Sequence, residues 1–250
     1  MTERSAALSL TEQERAEAQR IGFSERTFVV VKEATGAEVL DTIAREEQVE
    51  DLDNVDGTRK TGRTLHALIA TTARETSEDV LIGLRRELLP AGYLPFLIDR
   101  TFPFQDRPDV IAVLPDTDPL APVRFCGTDA GNYDRSHYDI LRTLEGWRSR
   151  FDYDVLGAEH DSIYLRLHTL PEDMAAFAAE LYDFCPDLID QGIGCFIEEG
   201  AEFLNEEQRT DIEGRFAADT GDEEGKAQRV ALQILAETIE SSRRLALWWD

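Results

Sequence analysis

The sequence predicts an α+β protein made of two packed lobes. Runs of β-branched and aromatic residues alternate with amphipathic stretches along the 250 residues, which indicates mixed strands and helices. From residue 110 onwards the predicted order is strand, helix, two strands, helices and a final strand. That order is typical of a ferredoxin-like split β-α-β unit, an antiparallel sheet with helices on one face, here with extra helices inserted before the last strand.

A proline-rich run at residues 115–122 separates the predicted lobes. It holds three prolines in eight residues, and each proline fixes φ and lacks an N–H, so regular structure is not expected there. We therefore expect three parts: a polar N-terminal helix in residues 1–24, an N-terminal α/β lobe in 25–122, and a C-terminal lobe in 123–250.

The first 114 residues show clear local patterns. Thr11 and Glu14 form a capping-box pattern that begins a short polar helix, and Gly22 closes it. The charged and small residues of 46–64 predict a loop. The other expected elements are strands at 27–31, 65–72, 93–98 and 110–114, and helices at 38–47 and from the capping residues 76–79 to 89.

The predicted second lobe is organised around residues 169–195. Thr169 is expected to cap a helix with Pro171 in its first turn, and Pro186 is expected to end that helix and start a second one. Three- and four-residue spacing predicts one buried face, formed by Met174, Phe177, Ala178, Leu181 and Phe184.

The remaining stretches of the second lobe follow the same logic. Ser136 is expected to cap a helix whose buried residues include Trp147. The other expected elements are strands at 153–156 and 162–167, helices at 196–208 and 227–243, and a loose acidic segment at 214–225. Two terminal tryptophans, Trp248 and Trp249, predict a final strand that docks on the sheet and buries them.

Net charge restricts the classes of partner. The 51 acidic residues outnumber the 26 basic ones, which gives a formal charge of −25. Such a surface repels nucleic-acid phosphates and anionic lipids, so neither partner is expected. A basic protein partner is favoured. The alternative is that the acidic composition is a general bias of the whole proteome.

The cysteines and the N-terminus indicate a cytoplasmic protein. Cys126, Cys185 and Cys195 are odd in number and contain no C-x-x-C pair, which argues against disulfides and a zinc site. No apolar stretch is long enough for a signal peptide or a membrane span. We expect neither a metal nor a cofactor, and the sequence leaves the oligomeric state open.

Four features between about residue 134 and residue 250 are distinctive in order and spacing: Trp147, Phe184-Cys185-Pro186-Asp187, Asp190-Gln191-Gly192 and Trp248-Trp249-Asp250. In these features the chain resembles the bacterial family catalogued as domain of unknown function 4253. The resemblance implies a domain extent and a set of positions of interest. It implies no reaction.

Cys185 is the first candidate for chemistry. If Pro186 begins a helix, the thiol lies at a helix N-terminus, which favours the thiolate. It also ends the preceding helix, whose dipole acts in the opposite direction. A base would have to come from elsewhere in the fold, with His137, His160 and His168 as the options, and a buried structural cysteine is the alternative.

Asp187 is the second candidate. It can cap the helix that follows, which is a structural role. Alternatively it belongs to a small polar pocket for a ligand or for a partner's side chain. The residues predicted for that pocket are Trp147, Asp187, Asp190, Gln191, Trp248, Trp249 and Asp250.

Other polar features favour structural roles. The acidic pairs at 198–199, 206–207 and 222–224 are expected on solvated surfaces, and His160-Asp161 is expected in a hairpin turn rather than in a metal site. The sequence contains no EF-hand, H-E-x-x-H, Walker or nucleophile-elbow motif.

Two functional hypotheses follow from these patterns. The first is a non-enzymatic protein that binds another protein through an acidic or aromatic surface, of a regulatory or toxin-neutralising type. The second is an enzyme of unknown class that uses Cys185, Asp187 and Gln191 together with a neighbouring histidine. The surroundings of the Cys185 sulfur distinguish the two hypotheses: a sulfur buried in apolar packing, beyond hydrogen-bond distance of a base, excludes the enzyme.

Overall fold

The structure, a computed structural model, describes residues 10–49, 60–100, 107–194, 205–222 and 225–250. These residues form an α+β fold whose seven described strands belong to a mostly antiparallel sheet, which confirms the predicted fold class. The chain divides into two compact units. Unit 1 contains Met1–Asp129 and Val155–His160, and unit 2 contains Ala130–Asp154 and Asp161–Asp250.

Unit 1 places its strands in the order β1-β2-β4-β3-β5. Its pairs are antiparallel except for β3 with β5, which are parallel and register Leu97 with Gly157. The strands are β1 (Asp41–Val49), β2 (Lys60–Thr72), β3 (Leu94–Asp99), β4 (Asp109–Leu114) and β5 (Tyr153–Ala158), of which Val155–Ala158 belong to unit 1. The helices are α1 (Glu12–Ile21), α2 (Glu25–Thr35), α3 (Ser77–Leu88) and α4 (Ala121–Cys126).

The strand predicted at residues 27–31 is wrong, because these residues lie inside helix α2. Ser24 caps the helix by accepting a hydrogen bond from the Thr27 amide, and Gly36 ends it with a φ of 69°. The two caps fix a helix of three turns. Its inner face buries Phe28 and Val31 completely, and this packing overrides the β preference of the valines.

The helix predicted at residues 38–47 is also wrong. Strand β1 begins at Asp41 and pairs with β2 from Asp41↔Ile69 to Val49↔Lys60. Val39, the second residue of the predicted helix, is 75% exposed. The predicted loop at 46–64 is replaced at both ends by β1 and β2, and its centre lies outside the described residues.

Unit 2 contains a helical set and an antiparallel pair of strands. Its helices are α5 (His137–Arg148), α6 (Met174–Phe184), α7 (Glu206–Ala218) and α8 (Lys226–Ser242), with a π-helical segment at Leu188–Ile193 between α6 and α7. Strands β6 (Ser162–Leu167) and β7 (Arg244–Trp248) pair from Ser162↔Trp248 to Arg166↔Arg244. Only Tyr153 and Asp154 of β5 belong to this unit.

Helix α6 has the predicted inner face but a different start. Met174, Phe177, Ala178, Leu181 and Phe184 are all buried, as expected. Asp173 caps the helix through the Ala176 amide at 2.9 Å, whereas the hydroxyl of Thr169 accepts a hydrogen bond from the Asp152 amide. The helix therefore begins after Pro171.

The final strand docks as predicted, but it leads to the burial of only one of the two C-terminal tryptophans, because Trp248 is half-buried. Strand β7 pairs with β6, and the Trp249 amide donates to the carbonyl of Asp161 at 2.9 Å. Trp249 is 3% exposed. The ferredoxin-like arrangement predicted for the second lobe is not confirmed, because the strand at 110–114 is β4 and lies in unit 1 between β2 and β3.

Two further segments differ from the sequence prediction. The segment expected to be loose at 214–225 is helical as far as Ala218, and α7 begins at Glu206 after a capping box at Asn205. Residues 196–204 of the predicted helix lie outside the described residues. Within the described ranges, no helix is long and apolar enough to cross a membrane.

Candidate functional site

The chain turns a corner between α6 and the π-helical segment. Cys185 leaves helical geometry with φ −139° and ψ 80°, as expected for a residue before proline, and Pro186 begins the next turn. We call the residues that converge here the Asp187 corner: Tyr133, Asp187, Gln191, Trp248 and Asp250. All five belong to unit 2.

The carboxylate of Asp187 is buried, with 1% of the residue exposed, and three donors from separate segments satisfy it. Oδ1 accepts hydrogen bonds from the Tyr133 hydroxyl at 2.5 Å and from the Gln191 amide at 2.9 Å. Oδ2 accepts from the backbone N–H of Asp250 at 2.9 Å. The predicted capping role is wrong, because the Asp187 side chain makes no capping hydrogen bond.

Tyr133 is the residue of the corner that the sequence prediction missed. Its hydrogen bond to the Asp187 carboxylate, together with partial burial, raises the pKa of the phenol to about 12. It therefore stays a donor at neutral pH and cannot act as a base. The only sequence feature near it is the turn-rich run that precedes Ser136, and that run carries no chemical motif.

Cys185 is sealed within the corner. It is fully buried, and its Sγ donates to the carbonyl of Trp248 at 2.9 Å. Burial raises the pKa of the thiol to about 12. A thiol in this state is protonated at neutral pH and lacks access to a substrate, which is the opposite of an activated nucleophile.

The three histidines considered as bases lie in different surroundings. His168 pairs through Nε2 with Asp154 Oδ2 at 3.0 Å on the surface. His160 is exposed and belongs to unit 1, where its carbonyl accepts the Asp129 amide. His137 is buried, with its ring 5.4 Å from the ring of Tyr138.

Trp147 and Trp249 belong to the core beneath the corner rather than to an open pocket. Trp147 is 1% exposed, and its Nε1 donates to Glu180 at 2.7 Å. Trp249 donates through Nε1 to the carbonyl of Phe184 at 3.1 Å and meets that ring edge to face at 5.4 Å. These aromatic contacts fix the tail against the end of α6.

The outer rim of the corner is acidic and aromatic. The side chain of Trp248 is half-buried, and a Cβ built on Gly192 would lie 3.1 Å from its ring. Tyr182 donates to Asp190 Oδ1 at 3.2 Å. Burial, with the nearby Asp190, raises the pKa of this phenol. Asp183, Asp190 and Asp250 are exposed, and the first two act on the Tyr182 hydroxyl.

The predicted site residues therefore separate into two groups. Asp187, Gln191, Trp248 and Asp250 do come together, and Asp190 lies beside them. Trp147 and Trp249 lie in the core. Within the described part of the chain, no group of three or more His, Cys, Asp or Glu side chains could hold a metal ion.

The acidic pairs have the predicted solvated character where they are described. Glu206 and Glu207 are exposed in the first turn of α7. Asp222 is exposed and pairs with Arg229 at 3.1 Å. The pair at 198–199 lies outside the described residues, as do positions 223 and 224 and Cys195.

The fold and the corner define an α+β protein that has a buried carboxylate network under an acidic rim. The model of the family described as Domain of unknown function (DUF4253) matches residues 110–250, which is more than half of the chain, so the chain belongs to this family. No curated protein and no solved structure matches the chain. The matched region begins at β4, before the start at residue 134 that the sequence motifs indicated.

Proposed function

We propose that this chain is a non-enzymatic, cytoplasmic protein of a regulatory or toxin-neutralising type, which binds a basic segment of another protein at the rim of the Asp187 corner. The observation that carries the proposal is the half-buried indole of Trp248, which lies against Gly192, together with the exposed residues Asp183, Asp190 and Asp250 of the same part of the fold. An indole face and carboxylates together suit a lysine or arginine side chain.

The buried network supports this role by making the rim rigid. The Asp187 carboxylate accepts hydrogen bonds from Tyr133, from the π-helical segment and from the C-terminal tail. A preorganised rim loses little conformational entropy when a partner binds, which favours affinity. The net charge of −25 attracts a basic partner over a longer distance and increases its association rate.

The enzymatic alternative lacks a supporting observation of its own. It requires an accessible thiolate or a free general base at the corner. Cys185 is fully buried with a raised pKa, and Asp187 accepts three hydrogen bonds. These contacts favour a structural role for both residues.

The proposal is tested by affinity capture with matched charge variants. The corner variant carries Asp183→Asn and Asp190→Asn, and the control carries Glu75→Gln and Asp79→Asn on exposed positions of unit 1. Both variants lose two negative charges. We expect the wild-type chain and the control to retain the same partner, and the corner variant to lose it.

Salt dependence gives an independent check on the captured partner. The association rate is expected to fall steeply as ionic strength rises, because screening weakens the attraction between the acidic rim and a basic segment. Equal capture by the corner variant and the control, or an association rate that is insensitive to salt, contradicts the proposal.

A further inference from the structure

A cavity of about 50 Å³ lies in unit 1, away from the Asp187 corner. It is lined by the first half of β2, by Glu47 of β1, by the end of β4 with the residues that follow it, and by helix α4. Its apolar part is built by Leu65, Leu114 and Ala121, and the last two are buried. Its polar part is built by His66 and by two cationic and two anionic side chains, namely Arg63, Arg124, Glu47 and Asp116. Among the described residues, Nδ1 of His66 is one of the buried side-chain atoms without a hydrogen-bond partner.

The ion pairs around the cavity leave several polar atoms unused. Arg63 Nε donates to Glu47 Oε2 at 3.2 Å, whereas Arg63 Nη2 is 4.0 Å from Asp116 Oδ2, which is too long for a hydrogen bond. Arg124 pairs through Nη2 with Asp118. Within the described ranges, Nε and Nη1 of Arg124, Oδ2 of Asp116 and Oε1 of Glu47 make no hydrogen bond.

These unused atoms have opposite signs and lie around one small space. The free edge of Arg124 presents N–H donors that match a carboxylate. Asp116 and Glu47 present carboxylate oxygens that match an ammonium group. Three of the four charged side chains are largely withdrawn from solvent: the exposed fractions are 25% for Arg124, 21% for Glu47 and 33% for Asp116. Partial burial strengthens such contacts relative to those of fully exposed charges.

The size of the cavity restricts the ligand. A single water molecule needs roughly 10–15 Å³ of cavity volume, so a cavity of 50 Å³ accommodates about four chemical groups of the size of water. That matches glycine or alanine and is well below the several hundred Å³ of pockets for larger ligands.

We propose that this cavity binds a small zwitterionic amino acid of the size of glycine or alanine. The ligand carboxylate contacts the free edge of Arg124, and the ammonium contacts Asp116 Oδ2 and Glu47 Oε1, the oxygens to which Arg63 makes no hydrogen bond. The methyl group of alanine contacts Leu65 and Leu114. A simple anion would leave the two carboxylates unmatched and would add negative charge beside Asp118. This site is independent of partner binding at the Asp187 corner.

The test is isothermal titration calorimetry of the full chain with three probes of similar size. Alanine carries both charges, propionate lacks the ammonium, and ethylammonium lacks the carboxylate. We expect millimolar binding of alanine and at least about tenfold weaker binding of each singly charged probe, because each of these loses a charge-assisted contact. Binding of propionate as tight as that of alanine, or no heat from alanine in the millimolar range, overturns the proposal.

Three variants assign the site. Asp116→Asn removes one charge at the ammonium position, and Arg124→Lys removes the planar donor edge while it keeps the charge. The control is Arg142→Lys, which lies in unit 2 in an exposed pair with Asp139. We expect each of the first two variants to weaken alanine binding at least about tenfold, with no change in the control.

Circular dichroism and thermal melting show whether each variant is folded. Folded D116N and R124K that bind alanine as tightly as wild type contradict the assignment. If a variant fails to fold, Glu47→Gln takes its place. We expect the same loss of alanine affinity for this variant, and wild-type affinity would contradict the assignment.

Discussion

Asp187 joins three segments that are distant in sequence. Its two carboxylate oxygens accept from Tyr133, Gln191 and the amide of Asp250, and only 1% of the residue is exposed. A buried carboxylate is stable only when its hydrogen-bonding capacity is used, and here three donors use it. The tail of the chain is therefore held by this one side chain as well as by β7.

Replacing Asp187 with asparagine tests this role. The asparagine side chain would present an NH₂ donor at the position of one carboxylate oxygen, where a donor of the protein already points. One hydrogen bond would be lost and a buried donor left unpaired, so we expect a loss of about 1–3 kcal/mol in the free energy of unfolding. Urea denaturation measures the change. Asp190→Asn is the control, because Asp190 is exposed three residues further along the chain. Equal effects of the two substitutions would contradict the account of Asp187.

The reactivity of Cys185 is a second prediction. Full burial and a pKa of about 12 predict that iodoacetamide at pH 8 leaves the folded thiol unmodified while it labels the unfolded chain. Cys195 is changed to alanine so that its labelling does not interfere, and mass spectrometry identifies the modified peptide. Rapid labelling of Cys185 in the folded chain would restore the enzymatic hypothesis.

Helix α1 docks through carboxylates on its inner side. Lys32 donates to Glu14 at 2.7 Å, and the two side chains are 6% and 4% exposed. Burial acts to raise the pKa of Glu14, but the hydrogen bonds from Lys32 and Thr11 hold it below its ordinary value. The sequence correctly predicted the helix and its capping box. It did not predict the burial of Glu14, because that depends on α2, which the sequence pattern assigned to a strand.

The docking of α1 has a defined pH dependence. Hydrogen bonds from Arg20 and Thr42 lower the pKa of Glu17 from 4.5 to about 2, so its contribution is present above pH 4.5 and is lost as the pH falls towards 2. We expect Glu17→Gln to lose less stability over this interval than wild type does. Denaturation at several pH values measures the loss, with Glu12→Gln as the control on the exposed first turn. A wild-type profile in E17Q would contradict this role.

Sequence patterns predicted some elements well because their determinants are local. Ser136, Gly22 and the apolar spacing of α6 specify their elements through contacts within a few residues. Strand β1 and helix α2 were interchanged because their local propensities favour the opposite structures. The run Phe28-Val-Val-Val31 of α2 is typical of a strand, and Ala44-Arg-Glu-Glu-Gln48 of β1 is typical of a helix. The pairing of β1 with β2 and the caps of α2 decide against these preferences.

The candidate site was predictable in part for the same reason. Asp187, Gln191, Trp248 and Asp250 were grouped from their unusual positions at a helix break and at the tail. Tyr133 lies 54 positions from Asp187, and no spacing rule connects them. Trp147 and Trp249 were assigned to a pocket because aromatic residues suit pockets and cores equally, and only their burial in the folded chain assigns them to the core.

The C-terminal tail is expected to contribute strongly to stability through Trp249, which directly follows β7. This side chain is 3% exposed and packs edge to face on Phe184. Removal of a buried tryptophan side chain costs about 3–5 kcal/mol, so Trp249→Ala should lower the free energy of unfolding by that amount. Trp248→Ala should cost less, because Trp248 is half-buried. Chemical denaturation compares them, and a neutral W249A would show that the tail is not docked.

The whole chain combines two compact units with a strongly acidic composition. Unit 1 carries the polar cavity and unit 2 carries the Asp187 corner, so the two proposed sites can be changed independently by mutation. The family model covers all of unit 2 and, in unit 1, residues 110–129 and Val155–His160, which places both Arg124 and Asp187 within the matched region. The excess of 51 acidic over 26 basic residues favours a basic partner for the corner.

Hydrogen–deuterium exchange of the chain with its captured partner tests the proposed function most directly. We predict that partner binding slows exchange in residues 183–192 and 244–250, because these segments carry the acidic and aromatic rim. Exchange in α1 and α2 should stay unchanged. Protection confined to unit 1, or no protection in the two rim segments, would contradict the proposal that the Asp187 corner is the partner-binding surface.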